Sequence, residues 1–327
     1  MSYSREVTRR AQQRLSHMKA DHESQYNQRL FEAYGRVPRL KEIDLLLRKS
    51  MALAAQTVFT KGTDAVAAME QVKQANLSLQ EERRALLAQH FPQNYLDESP
   101  LCPHCGGSGY VGAVMCDCLR ELCRQEQQEE LRQLTCGDET FGRFRLDYYP
   151  EQIDPNYGAS PRKIMERNLQ ICRRYAEEFE KGSGNLLFVG GTGLGKTFLS
   201  ACIANEAARR GASIAYESAP QLFAKLSKNQ FDADDQSRQD CARLADCDLL
   251  IIDDLGTELT TSVVIAALYS LLNERLLSGK SMIVSTNLNI DEIARRYYPQ
   301  IASRLEGSFR GLTFVGKDIR VMKNRGL

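Results

Sequence analysis

Several features that would commit this chain to a class are missing from it. There is almost no net charge: 43 Lys and Arg stand against 42 Asp and Glu, a formal charge of +1. No global field therefore draws the molecule to nucleic acid or anionic lipid, and any such binding must be local. No apolar run approaches the roughly 20 residues that a membrane-spanning helix requires. The opening MSYSREVTRR is charged, with no apolar leader stretch behind it, so a cytoplasmic protein with no membrane partner is expected. No internal repeat is visible. Disulfide-framework spacing is missing as well, because six of the ten cysteines (Cys123, Cys136, Cys172, Cys202, Cys241 and Cys247) are scattered through helical or core-like text. The other four crowd into eighteen residues, LCPHCGGSGYVGAVMCDC, and need an explanation of their own. At 327 residues and 43% apolar content the chain has room for a buried core and for one large domain or two to three smaller ones.

Residues from about 2 to 90 are polar, with apolar positions at helical spacing in VPRLKEIDLLLRKSMALAA and MEQVKQANLSLQEERRALLAQ, which predicts two or three long helices. Pro38 suits a first helical turn, and Pro92 and Pro100 close the region. After the cysteines comes LRELCRQEQQEELRQL, a helix whose plainest reading is a solvated connector. GDETFGRFRLDYYPEQIDP then reads as an extended aromatic segment, and PRKIMERNLQICRRYAEEFEKG as an amphipathic helix closed by Gly182. Beyond it NLLFVG, ASIAYE, DLLIID and SMIVST read as short buried strands alternating with helices, which predicts an α/β domain built on a mostly parallel sheet.

NLLFVGGTGLGKTFLSACIANEAARR places G-x-x-x-x-G-K-T between a strand and a helix. In that context Gly190, Gly191, Thr192, Gly193, Leu194, Gly195, Lys196, Thr197 and Phe198 form a phosphate loop, in which curled backbone N–H groups and the helix N-terminus face one phosphate cluster. Lys196 then neutralises the β/γ-phosphates and the Thr197 hydroxyl ligates Mg²⁺. DLLIIDDLGTE adds a buried strand ending in Asp253, to hold the metal through water, and Asp254, to orient or deprotonate an attacking water. In isolation the acidic pair would be read as a strand-end turn or cap; beside a phosphate loop it reads as a Walker B motif. SMIVSTNL ends in Thr286 and Asn287. Asn287 can touch the γ-phosphate as a sensor or cap the helix of LNIDEIARRYY, and one residue can serve both roles. A guanine-reading N-K-x-D is absent, which favours ATP. Arg304 in SRLEGSF can act as an arginine finger toward a neighbouring copy, with Arg310 as competitor, and Arg320 is a candidate sensor arginine in cis.

These stretches, GGTGLGKT, LLIIDDLGTE, VSTNL and SRLEGSF, occur in the order and at the spacing that resemble the AAA+ ATPases of the DnaC/DnaI helicase-loader group, which also includes the transposon helper ATPase IstB. The resemblance covers roughly residues 140 to 327. It implies a weak, regulatory ATPase that binds a DnaB-type replicative DNA helicase through its N-terminal region and helps load it onto single-stranded DNA, self-assembling on the helicase with a trans arginine finger. It implies that Phe141 and Phe144 in TFGRFRLDYYPE anchor the chain to the ATPase. The layout expected is a helical helicase-binding region over 1–98, a zinc-binding module and connector helix over 99–135, and an AAA+ ATPase domain over 136–327. The alternative is an IstB-like helper that binds duplex DNA and a transposase, for which the near-neutral N-terminal region lacks the expected basic surface. An initiator that reads specific DNA should carry a helix-turn-helix after the ATPase, and the text up to Leu327 leaves no room for one.

The cysteine stretch combines C-x-x-C at Cys102 and Cys105 with C-x-C at Cys116 and Cys118, which suits one tetrahedral Cys₄ zinc site. Gly106, Gly107 and Gly109 ease the backbone where the first knuckle turns back, and so small a module has too little core to fold without metal. A redox C-x-x-C or free thiols are the alternatives; the strand and helix framing of a thioredoxin motif is missing. His104 is expected to face solvent. ATP, Mg²⁺ and Zn²⁺ are the cofactors these readings require.

Overall fold

The structure, a computed structural model, describes residues 3–57, 63–97, 99–134, 139–231 and 234–324. The expected boundaries at 98, 135 and 136, the two chain ends, and Cys136 lie outside the described residues. The polar N-terminal text forms three helices, α1 (Arg5–Arg36), α2 (Pro38–Thr57) and α3 (Thr63–His90). Pro38 opens α2, where a missing N–H goes unnoticed. Polar bonds tie the three together: the Tyr34 hydroxyl donates to Asp44 at 2.7 Å, Arg83 reaches the same carboxylate at 2.8 Å, and Arg39 donates to Glu82 at 2.8 and 3.1 Å. The apolar cluster is small, with Ala33, Val37 and Leu40 against Leu86, Leu87 and Phe91. From Gln13 of α1 onward these helices belong to a compact unit, Gln13–Cys118, that also contains a two-residue-per-strand hairpin, β1 (Tyr110–Val111) and β2 (Val114–Met115).

The second compact unit combines Leu119–Leu327 with the N-terminal residues up to Gln12. Its first helix, α4 (Asp117–Leu134), is not the solvated connector expected from its composition. Leu119, Leu122, Cys123 and Leu131 are buried, and the Gln127 side chain accepts from Ile214 N–H at 2.9 Å while donating to the Ala212 carbonyl at 2.8 Å. An edge strand exposes both donors and acceptors, and one amide side chain supplies a partner for each. The aromatic segment is less extended than its text suggests, with short 3₁₀ turns at Phe141–Arg143 and Leu146–Tyr148. Next, α5 (Pro161–Glu177) is capped by Ser160 and ends at Glu177, short of Gly182, with Phe179 buried just beyond it.

The remaining elements alternate: β3 (Leu186–Val189), α6 (Lys196–Arg209), β4 (Ile214–Ser218), α7 (Ala219–Phe231), α8 (Asp235–Asp246), β5 (Leu249–Leu255), α9 (Ser262–Leu277), β6 (Ser281–Thr286), α10 (Ile290–Tyr297), α11 (Pro299–Ser308), β7 (Arg310–Thr313) and α12 (Ile319–Asn324). The sheet is parallel, in the order β4-β5-β6-β3-β7. Successive strand residues go to opposite faces. Leu187, Leu250, Ile252 and Val284 fill one apolar layer and Phe188, Leu249, Ile251 and Ile283 the other. Both faces being covered explains the unbroken apolar runs of the four strands expected from sequence. The fifth, β7, escapes that reading because only Leu312 of its four residues is buried. Placing β6 between β5 and β3 brings three strand ends to one edge of the sheet, where the phosphate loop begins.

Candidate nucleotide and metal sites

The loop between β3 and α6 is pinned from three sides. Gly190 N–H donates to the Thr286 carbonyl at 3.2 Å, Ile319 N–H to the Gly193 carbonyl at 3.0 Å, and the Tyr149 hydroxyl to the Leu194 carbonyl at 2.9 Å. Gly193 has φ +69°, and a Cβ there would lie 1.9 Å from a carboxylate oxygen of Asp318, so a side chain would strain the backbone and displace the Asp318 carboxylate. Lys196, only 4% exposed, donates from Nζ to the carbonyls of Gly190 and Gly191, both at 2.8 Å. Burial holds its pKa below the ordinary lysine range, and the charges of Asp254 and Asp253 oppose that shift. A cavity of about 320 Å³ follows the loop from Thr192 to Phe198, with Asp254 and Arg320 on its wall. Phe144 and Tyr149 form another wall, stacked with centroids 5.8 Å apart, and Phe144 also meets Phe198 at 5.8 Å.

Asp253 is buried at the end of the apolar run of β5. Its carboxylate accepts from the Tyr216 hydroxyl at 3.0 Å and from the Ser285 hydroxyl. The same Ser285 oxygen accepts from Asp254 N–H at 2.9 Å. Neither Tyr216 nor Ser285 stood out in the sequence: Tyr216 lies two residues before Ser218, the register partner of Asp253 on β4, and Ser285 follows Val284, the partner of Ile252 on β6. Asp254 sits at a register irregularity with φ +56°, a conformation that costs a non-glycine residue of order 1–3 kcal/mol. Desolvation and the neighbouring Asp253 raise its pKa, against the fields of Lys196 and Arg320.

The structure therefore brings together Lys196, Thr197, Asp253, Asp254 and Arg320. Asn287 follows the last residue of β6, the strand that lies between β5 and β3. The helix-cap alternative for it is corrected: Asn289 caps α10, in a capping box with Glu292. Arg304 is not brought to this cavity. It is held on α9, donating to Asn273 and, at 2.8 Å, to the Tyr269 hydroxyl, with its guanidinium 4.7 Å from the Tyr269 ring centre. Arg310 pairs in register with Leu186, at the opposite end of β3 from the phosphate loop.

In the hairpin module the four sulfurs of Cys102, Cys105, Cys116 and Cys118 all lie within 4.8 Å of one another. Cys102 and Cys116 are 3.8 Å apart, and Cys105 and Cys118 3.4 Å. A tetrahedron with Zn–S bonds of about 2.3 Å has edges of about 3.8 Å, so the set fits one zinc ion, whereas a disulfide would need about 2.05 Å. The hairpin turns on bonds such as Gly106 N–H to the Cys102 carbonyl at 2.9 Å and Cys116 N–H to the Gly109 carbonyl at 2.8 Å. Gly109 N–H also donates to the Cys105 sulfur at 3.3 Å, the kind of bond that favours a thiolate. His104 is exposed, as expected.

The parallel sheet, its strand order and the loop-and-carboxylate edge define an AAA+ type P-loop domain. Residues 157–300 match the family described as IstB-like ATP binding protein. The replicative helicase loader DnaC of Escherichia coli K12 is 25% identical over 137 residues, 42% of this chain and 56% of DnaC. The uncharacterized protein YdaV of the same organism is 25% identical over 137 residues, 42% of this chain and 55% of its own length. The match thus spans just over half the length of these curated relatives. A crystal structure of the DnaC helicase loader aligns with 54% of this chain and 98% of its own, at 20% identity and a TM-score of 0.44. The P-loop half of the chain resembles the DnaC-type helicase loaders.

Proposed function

We propose that the protein is an ATP-dependent DNA replication factor that binds a DnaB-type replicative helicase and loads it onto single-stranded DNA, with weak ATP hydrolysis as the switch. The observation that carries this reading is the convergence of Lys196, Thr197, Asp253 and Asp254 at one sheet edge, in a segment similar to DnaC. ATP occupies the loop cavity, its phosphates on the loop N–H groups and Lys196. Mg²⁺ is held by Thr197 and, through water, by Asp253, while Asp254 orients the attacking water and Asn287 and Arg320 sense the γ-phosphate. Arg304 belongs to a different surface, which suits a finger presented to the next copy's nucleotide. The helical unit supplies the helicase contact: Phe31 is 80% exposed, and Leu45, Leu46 and Leu77 are exposed with it, more apolar surface than three polar helices need. The Cys₄ set holds structural zinc, a closed site with no open position for catalysis.

Light scattering of the full chain mixed with the helicase of its host, with ATP and with ADP, tests this. A nucleotide-dependent complex weakened at least tenfold by Phe31→Asp supports it. The match to IstB-like proteins keeps the transposition helper as a second reading; tight duplex DNA binding with no helicase complex would put that reading first.

A further inference from the structure

The turn after β5 carries a buried acid that neither phosphate nor metal chemistry uses. Glu258 is 4% exposed. One carboxylate oxygen accepts from Gly256 N–H at 3.1 Å; the other accepts from the Tyr297 hydroxyl and lies 3.7 Å from Arg296 Nε. Arg296 also donates to the Glu258 backbone carbonyl. A buried carboxylate without partners is strongly destabilising, and here two hydrogen-bond donors from separate segments, Gly256 N–H and the Tyr297 hydroxyl, with the Arg296 charge beside them, converge on an acceptor-only group. One side chain thus joins the turn that follows Asp254 to the last residues of α10.

Both ends of this strut matter. At the first, a Cβ on Gly256 (φ +116°) would lie 2.8 Å from Leu288 and 3.2 Å from the Asn287 side-chain oxygen, so the turn runs beside Leu288 and Asn287 with no room for a side chain between them. The Thr286 hydroxyl donates to the Leu255 carbonyl at 2.6 Å, closing the same contact. At the other end, α10 passes into α11 through Tyr298, a non-glycine residue at φ +71°. A left-handed residue of this kind persists only where its surroundings over-determine it. The helix beyond carries Arg304.

We propose that Glu258 is a positioning residue that locks the acidic turn and Asn287 to the α10–α11 pair, so that the γ-phosphate end of the site and the surface bearing Arg304 move together. The proposal rests on the nucleotide reading above. A carboxylate suits the task because it accepts from the turn and from the helix at once, which no hydroxyl or apolar side chain of similar reach can do.

The test compares the parent chain with Glu258→Ala, Glu258→Gln, Tyr297→Phe and the Glu258→Ala/Tyr297→Phe double variant, measuring melting temperature, affinity for a fluorescent ATP analogue, ATP turnover, and hydrogen exchange across 254–258 and 290–308. Glu258→Ala is expected to bind the analogue within twofold of the parent, to hydrolyse ATP at least tenfold more slowly, and to lose the protection that nucleotide confers on 290–308. Glu258→Gln keeps an acceptor for Gly256 N–H and can exchange a hydrogen bond with Tyr297, so turnover stays within about threefold. Tyr297→Phe should add little to Glu258→Ala. Unchanged turnover and protection in Glu258→Ala overturns the proposal, as does a parallel fall of affinity and melting temperature, which would make Glu258 a core residue only. A parent protein that neither binds nor hydrolyses ATP defeats the nucleotide reading instead. The strut is then judged by exchange without nucleotide, where faster exchange at both ends in Glu258→Ala supports it and at one end alone overturns it.

Discussion

The phosphate loop and the cysteine hairpin are both short glycine-bearing turns, yet opposite means hold them. The loop is an outgrowth of a large core: its flanks are β3 and α6, its carbonyls are held by Tyr149 and Ile319, and two apolar layers stand behind it. The hairpin has two strands of two residues each and four thiols that approach within 4.8 Å. Nothing comparable to the sheet lies within it. The first site is therefore shaped before any ligand arrives, whereas the second, on the proposed reading, would take its stability from a metal held by the thiols. This suits the proposed division of labour, in which nucleotide must come and go while the hairpin must keep one shape.

Removing metal should give the largest effect. Structural zinc contributes an apparent free energy of about 10–16 kcal/mol at neutral pH in small modules. A strong chelator, or Cys116→Ser, should release one zinc per chain and abolish exchange protection across 102–116, with ATP affinity staying within twofold. Metal quantification beside hydrogen exchange checks this. Loss of ATP binding together with the zinc would break the comparison, because the loop would then depend on the hairpin.

Lys196→Ala should do the reverse. Each hydrogen bond from a charged donor contributes about 1.5–3 kcal/mol, so losing the lysine contacts to phosphate should weaken ATP binding by about a hundredfold. The melting temperature should hold or rise, since the native lysine is almost wholly buried and its charged form is penalised there. Thermal unfolding beside nucleotide titration reads both. Ser285→Ala is expected to be milder in binding and harsher in turnover. It strips one donor from Asp253 and leaves the Asp254 N–H without its partner, costing about 1–3 kcal/mol of stability. Mg²⁺-dependent hydrolysis should fall about tenfold.

The contrast also explains what could be read from the sequence. The P-loop, the acidic pair and the cysteine spacing are legible because each is local: the chemistry demands particular residues a fixed number of positions apart. Strands β3 to β6 are legible because burial on both faces makes unbroken apolar runs. The rest depends on partners far along the chain. Strand β7 hides because a single residue of it is buried, and α4 reads as solvated because the bonds of Gln127 lie with Ala212 and Ile214, some 85 residues away. Arg275, the largest fully buried side chain among the described residues, looks like a surface arginine in LLNERLL until the carbonyls of Leu244, Ala245, Cys247 and Ser281 are brought around it. Tyr216, Ser285 and Glu258 became visible for the same reason, each through the strand or helix packed beside it.

Acid should separate the two regions more gently. Metal-bound thiolates compete with protons, so zinc is released as pH falls. In the ATPase unit, α8 begins at Asp234, whose carboxylate accepts from Ser237 N–H at 2.7 Å and pairs with Lys228 at 2.9 Å. Lys228 first and the Ser237 N–H second hold its pKa down to about 2, below the usual 3.8. A carboxylate whose folded pKa is depressed stabilises the fold fully above its unfolded value and loses that contribution as pH falls through the folded one. The cap of α8 should therefore persist through the acidification that strips the hairpin and weaken only between about pH 3.8 and 2. Asp234→Ala should remove this late step while leaving the zinc-release midpoint where it was. A titration followed by circular dichroism and by released zinc together would show two separate transitions; one shared transition would mean that the hairpin and the ATPase unit unfold as a single body.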